Sequence, residues 1–307
     1  MAKIIVTHRA PDFDAITSVW LIKRFLPGWE NAKLAFVPAG QKLPGHYAHE
    51  GEAIETLEKD EVIHVDTGMG VLDHHQFQDE TLCAASLTFE FVQKSNDNTL
   101  GSSTSKIEAI KKIIDQVIDE DHFQQVYHAD SDSYVRELTI VGILDGRKLQ
   151  TPAYDDQNTE FGMECLDALV ITFQSRVEAE LAMESGTEFT TKWGPAIAFE
   201  TTNDSVMKLA QIKGYSVVVR HDPASKLLRI KALPRKRKDK NLENAPRKEV
   251  DIDLTPIYEL LKAQDPYASW FLHASKRMLL NGSAKNPNTI PTKVPLVEVI
   301  ELLKSAK

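Results

Sequence analysis

The sequence predicts an α/β protein, with a parallel-sheet domain over residues 1–184 and a smaller α+β domain over residues 185–307. Three observations carry that expectation. The runs Ile4-Ile5-Val6-Thr7 and Val62-Ile63-His64-Val65 are rich in β-branched residues and read as buried strands. A stretch of helical periodicity lies between them, the alternation that marks parallel strands joined by crossovers. Beyond Ser185-Gly186 the texture becomes β-rich.

Taken in order, the first strand leads to a helix over about Ala15–Leu26, with Asp14 as its cap and Pro27-Gly28 ending it. Val19, Trp20, Ile22, Phe25 and Leu26 cover much of its circumference, as suits a helix packed on a sheet. Lys33–Pro38 reads as a second strand and Glu61–Asp66 as a third. Helices are expected over Ala84–Val92, Ser102–Ile118, Tyr134–Leu144 and Asp155–Met183, with an acidic, His-containing bend at Asp119–Phe123. The last helix is long enough to join two domains. Glu188–Trp193 and Ala196–Glu200 read as strands and Ser205–Lys213 as a helix. Tyr215–Arg220 and Lys226–Ala232 read as an antiparallel pair turned at Asp222-Pro223. Residues 235–248 form a polar loop carrying seven Lys or Arg against two acidic residues. Helices over Pro256–Gln264 and Val294–Leu303 complete the chain.

A chain of 307 residues suffices for two domains, and 42% hydrophobic residues support ordinary cores. Net charge −9 argues against coating duplex nucleic acid by bulk charge. Cys83 and Cys165, far apart, form no ligand spacing and suggest a reduced compartment. With no secretory leader and no apolar run of about 20 residues, a cytoplasmic location without membrane contact is expected.

The chemistry concentrates in His8-Arg9-Ala10-Pro11-Asp12-Phe13-Asp14, Asp66 and Asp73-His74-His75. Each lies at or just beyond the carboxyl end of a predicted strand, where open α/β sheets bind ligands. Asp12 and Asp14, at alternate positions, can present carboxylates to one cavity that His8 closes from the strand end. Asp66 could bridge two cations, and His74 would add a nitrogen. Hard carboxylates mixed with imidazoles suit divalent metals.

THRAPDFDAITS, VDTG and LDHHQ resemble the first three motifs of the DHH phosphoesterase superfamily. DHHQ, the segment AASLTFEFV and the C-terminal FLHAS are similar to its melanocyte-proliferating-gene branch. HRAPDFD follows the usual DHH form, whereas that branch has a longer, His-rich first motif. The resemblance implies a DHH-type first domain and a cleft between the two domains. It also implies two divalent cations, Mn2+ in most members, with Mg2+ as the alternative. It assigns His8 and Asp12 to one metal, Asp14 and His74 to the other, and Asp66 to the bridge. Asp73 would orient a ligand, and His75 would touch the scissile phosphate. For the fourth motif, Asp121 in VIDEDHF is preferred to Asp145 in VGILDGRK, although Asp119 and Asp121 also fit a solvated acidic turn. The superfamily's GGGH motif is absent. His273, Ser275, Lys276 and Arg277, with Asn281-Gly282-Ser283, stand in its place as candidate phosphate contacts.

The implied activity is phosphoester hydrolysis by a hydroxide held between the metals. The expected substrate is a phosphorylated one such as single-stranded RNA or a short oligonucleotide, degraded in the 3′–5′ direction. Hydrolysis of a small phosphoanhydride, as by a pyrophosphatase, and a non-catalytic metal-binding regulator are the competing readings. The basic 235–248 loop fits an electrostatic guide for a single strand or a plain solvated loop, and it has no aromatic for stacking. A homodimer is compatible with everything above.

Overall fold

The computed structural model describes residues 1–95, 103–235, 251–283, 285–286 and 288–306. The chain divides into two compact units, Met1–Gln174 and Ser175–Lys307, with the break inside a long helix. The basic segment read from the sequence as a loop lies outside the described residues except for Arg235.

Unit 1 is built on a five-stranded sheet of order β2-β1-β5-β4-β3. Its strands are β1 (Lys3–His8), β2 (Lys33–Val37), β3 (Tyr47–Ala48), β4 (Glu55–Leu57) and β5 (Asp60–His64). β1 pairs in parallel with both β2 and β5, whereas β4 runs antiparallel to β5 and β3 to β4. The sheet is therefore mixed, a correction to the purely parallel expectation. β3 and β4 have two and three residues, too few for any alternation to register in the sequence.

Helix α1 (Phe13–Phe25) crosses from β1 to β2. Ile16, Val19, Trp20, Leu21 and Ile22 are almost fully buried, which explains why apolar residues surround the helix rather than forming one stripe. Helices α2 (Ala84–Ser95), α3 (Thr104–Asp121), α4 (Ile140–Gln150) and the first part of α5 (Asp155–Ala182) share this core. Each large aliphatic side chain so buried contributes about 1.5–3 kcal/mol. Gly162 lets α5 approach closely, because a Cβ there would stand 2.7 Å from Ile16 Cγ2. The Trp20 indole donates to the Asp167 carboxylate (2.8 Å), fastening α1 to α5.

In unit 2 the sheet order is β10-β11-β9-β8-β7-β6. The strands are β6 (Thr187–Thr191), β7 (Gly194–Glu200), β8 (Val217–His221), β9 (Leu228–Ala232), β10 (Trp270–Leu272) and β11 (Met278–Asn281). The expected β8–β9 antiparallel pair is present. β7 and β8 are parallel around α6 (Ser205–Lys213), so a βαβ crossover is set in an otherwise antiparallel sheet. One core joins the sheet to α7 (Thr255–Gln264) and α8 (Leu296–Ser305), and another joins it to α6 and Ala179 of α5. Among the described residues no helix is long and apolar enough to cross a membrane.

Candidate metal centre

The topology of unit 1 dictates where the site lies. β1 has β2 on one side and β5 on the other, so the chain's winding reverses between β1 and β5. At such a switch point the carboxyl ends of two adjacent strands open a crevice. Val6 pairs with His64, which brings His8 and Asp66, each two residues further on, level with one another. His8 Nε2 lies 3.1 Å from Asp66 Oδ2 and 3.5 Å from Asp12 Oδ2. Its Nδ1–H donates to the Arg9 carbonyl (2.8 Å), which aims Nε2 at the two carboxylates.

Asp12, not Asp14, caps α1. Its Oδ1 accepts the Ala15 N–H at 3.0 Å, a correction to the sequence expectation. Asp14, 2% exposed, has another role: its two oxygens accept the N–H groups of Ala84 and Ala85, each at 2.7 Å. The N-terminus of α2 thus holds this carboxylate in place by its unpaired donors.

His74 Nε2 is surrounded by Asp121 Oδ2 at 3.4 Å, Asp66 Oδ1 at 3.6 Å and Asp14 Oδ2 at 3.7 Å. His74 Nε2 and Asp66 Oδ1 are both buried without a hydrogen-bond partner. Asp66 also has φ +51°, a left-handed conformation that few residues other than glycine, asparagine and aspartate adopt. Unpaired polar atoms buried opposite one another are costly, and a cation among them would satisfy both. The donor set therefore fits a divalent metal.

Among the described residues, ligand atoms close enough to share an ion fall into three groups: His8, Asp12 and Asp66; Asp66, His74 and His75; and His74, Asp121 and His122. Asp66 and His74 each belong to two of them, whereas Asp14 belongs to none and meets the cluster through His74, 3.7 Å away.

Asp73, fully buried, accepts the Met69 N–H at 2.8 Å, and its other oxygen accepts from His75 N (3.1 Å) and His75 Nδ1 (2.8 Å). His75 is more than half exposed (58%), its ring 4.3 Å from that of His74.

Charge crowding shifts the protonation of these groups. Burial opposes the charge on His8, but its bonds to Asp12 and Asp66 prevail and push its pKa up to about 11. Burial, then the charges of Asp66 and Asp121, hold Asp14 well above the usual carboxylate range. Asp121 is raised too, by burial and by Asp66 and Asp12, against the opposing effect of His74. Burial disfavours the His75 cation, yet the bond to Asp73 raises its pKa.

Asp121 is not in a bend, as the sequence suggests, but ends α3. Asp145 lies on α4, pairs with Lys148 at 2.8 Å and joins none of the three groups. A cavity of about 380 Å³ is lined by Asp12, Asp14, His75, Asp121, Phe123, Gln125, Asp145 and Lys148. His122 was not expected. It is the C-cap of α3, and its Nε2 lies 2.8 Å from the Leu82 carbonyl. Extending the predicted helix by three residues would have flagged it, because histidine is favoured at a helix C-terminus.

The four candidate substrate residues of unit 2 form one turn between β10 and β11, bordering a cavity of about 660 Å³. His273 Nδ1 accepts from the Ser275 amide (3.1 Å) and lies 2.9 Å from its hydroxyl. Lys276 donates to Asp253 at 2.9 Å, while Arg277 donates to Asp251 at 3.2 Å and to the Leu233 carbonyl at 2.7 Å. Comparison with known proteins adds no family: neither a scan against protein-family models nor a search of curated proteins returns a match.

Proposed function

We propose that unit 1 is a divalent-metal-dependent phosphoester hydrolase related to the DHH phosphoesterases, acting on short oligonucleotides or the 3′ end of a single strand. The observation that carries this reading is the pair of buried, unpartnered atoms, Asp66 Oδ1 and His74 Nε2, among three carboxylates. His8, Asp12, Asp14, Asp66, His74 and Asp121 would hold two cations, with Asp66 shared. Mn2+ is the first choice, and Mg2+ is disfavoured by the imidazoles. Bound cations supply Lewis acidity and a water of lowered pKa at neutral pH.

The remaining chemistry belongs to the protein. Asp73 takes the Nδ1–H of His75 and so leaves Nε2 to meet the substrate. From there Nε2 can hold the proton that a departing alkoxide requires. His75 is exposed at the cavity that Asp12 and Asp121 line, which supports its contact with a bound phosphoester. The basic turn of unit 2 has the chemistry of a strand contact, although the charges of Lys276 and Arg277 are already matched within the fold.

The test is Mn2+-stimulated hydrolysis of bis(p-nitrophenyl) phosphate and of a short oligoribonucleotide by the purified full chain. Release of nitrophenol and of nucleoside monophosphates is expected. Metal binding with no turnover of either substrate would overturn the hydrolase reading.

A further inference from the structure

We infer that Phe123 and Gln125 form a nucleobase subsite in the cavity that Asp12, Asp14, His75 and Asp121 line. This deepens the proposed function and rests on reading that cavity as a phosphoester site.

Phe123 follows the C-cap of α3 in the left-handed conformation (φ 55°, ψ 25°), its N–H donating to the Glu120 carbonyl at 3.2 Å. Helices commonly close this way, but with glycine, because a Cβ is disfavoured there. A bulky aromatic at such a position is out of the ordinary. Burial does not compensate, since Phe123 is 70% exposed. Neither backbone preference nor core packing accounts for the ring. The ring lies on the wall of the cavity.

A second, independent feature lies two residues on. Gln125 lines the same cavity, and its Oε1 is buried without a hydrogen-bond partner. A buried amide oxygen left unmatched is costly unless a ligand completes it. An exposed aromatic face, beside an amide that a side-chain rotation would turn into the cavity, suits a planar heterocycle with polar edges. The ring stacks on Phe123, as bases do on single-strand platforms, and an edge amino group donates to Gln125. At about 380 Å³ the cavity falls within the range of small-molecule sites. Inorganic phosphate or pyrophosphate would use neither side chain. The structure thus points to a nucleotide ester, its phosphate toward His75 and Asp121 and its base over Phe123.

The experiment compares AMP with inorganic phosphate by calorimetric titration of the Mn2+-loaded full chain, in wild type, Phe123→Gly, Phe123→Trp and Gln125→Leu. In Phe123→Gly the ratio of AMP to phosphate affinity should fall about tenfold, the scale of one lost stacking contact. The same variant should melt higher than wild type, because glycine suits the left-handed position. Phe123→Trp should keep the ratio, and Gln125→Leu should lower it severalfold. An equal ratio in wild type and Phe123→Gly would overturn the subsite. If wild type still hydrolyses bis(p-nitrophenyl) phosphate with Mn2+, that result sinks the subsite alone. If wild type neither hydrolyses the diester nor binds either anion, the phosphoester reading fails and the subsite with it.

Discussion

Two clusters of charged side chains were expected to act together, and they differ in how far the fold satisfies them. In unit 2, Lys276 and Arg277 have Asp253 and Asp251 as partners, at 2.9 and 3.2 Å. In unit 1, His74 Nε2 stands among three carboxylates without a hydrogen bond, and Asp66 Oδ1 has none either. A fold left to its own stability matches its charges. One that holds like charges together, buried, is arranged for something that binds there. The acidic cluster therefore carries the functional weight, and the basic turn, taken alone, does not.

The sharpest way to break this contrast is Asp66→Asn. The change is nearly isosteric, so the fold should persist, but the carboxylate common to two of the groups loses its charge. Mn2+-dependent turnover of bis(p-nitrophenyl) phosphate should fall below detection, and a rate within about tenfold of wild type would contradict a shared carboxylate. Asp73→Asn should act less severely, because it frees the His75 ring without removing a ligand. A loss of about 10–100-fold in rate at unchanged Mn2+ stoichiometry is expected from steady-state kinetics and calorimetry.

Protons should stand in for the metal, which gives a test by pH. In the unfolded chain His8 titrates near 6.5, while in the fold Asp12 and Asp66 push it up to about 11. Its contribution to stability is complete below about pH 6.5 and is lost as pH rises toward about 11. The raised Asp14 has the same sign, its contribution fading as pH climbs above the ordinary carboxylate range. A cation displaces these protons, so binding strengthens as they become easier to remove. The Mn2+-induced rise in melting temperature should be larger at about pH 8 than at about pH 6 in a thermal melt. Equal rises would show that the cluster does not exchange protons for metal.

Lys276→Ala should have the smallest effect. Its ion pair with Asp253 is half exposed, so its loss should cost at most about 1 kcal/mol in a denaturant titration. Mn2+ affinity should be the same as in wild type. An increase of about two- to fivefold in KM for an oligonucleotide would correspond to one exposed charge contact and assign the turn to the strand. An unchanged KM assigns it to folding alone.

Much of the site was legible from the sequence because strand and chemistry coincide there. The β-branched runs place His8 and Asp66 at adjacent strand ends, and the parallel register brings them to 3.1 Å. Local patterns were less informative where tertiary contacts decide. Either Asp12 or Asp14 satisfies the rule for a helix cap, and only the position of α2, whose amides claim Asp14, separates them. Acidic residues at 119–121 suggest a turn, yet α3 continues through them because Ile113, Ile114 and Val117 bury its apolar side. The short strands β3 and β4 exist through pairing alone. Trp270–Leu272 and Met278–Asn281, flanking the basic turn, form a hairpin that no glycine pair announces in the sequence. The pairing of Lys276 and Arg277 with Asp253 and Asp251 joins residues more than 20 positions apart, beyond any local pattern.

His8, Asp12, Asp14, Asp66, His74 and Asp121 are proposed to grip divalent cations. Anomalous diffraction at the manganese edge from crystals grown with Mn2+ tests this proposal most directly. Two peaks are expected, both in contact with Asp66, one beside His8 and Asp12 and the other beside His74 and Asp121. Manganese bound elsewhere, or no peak among these residues, would contradict it.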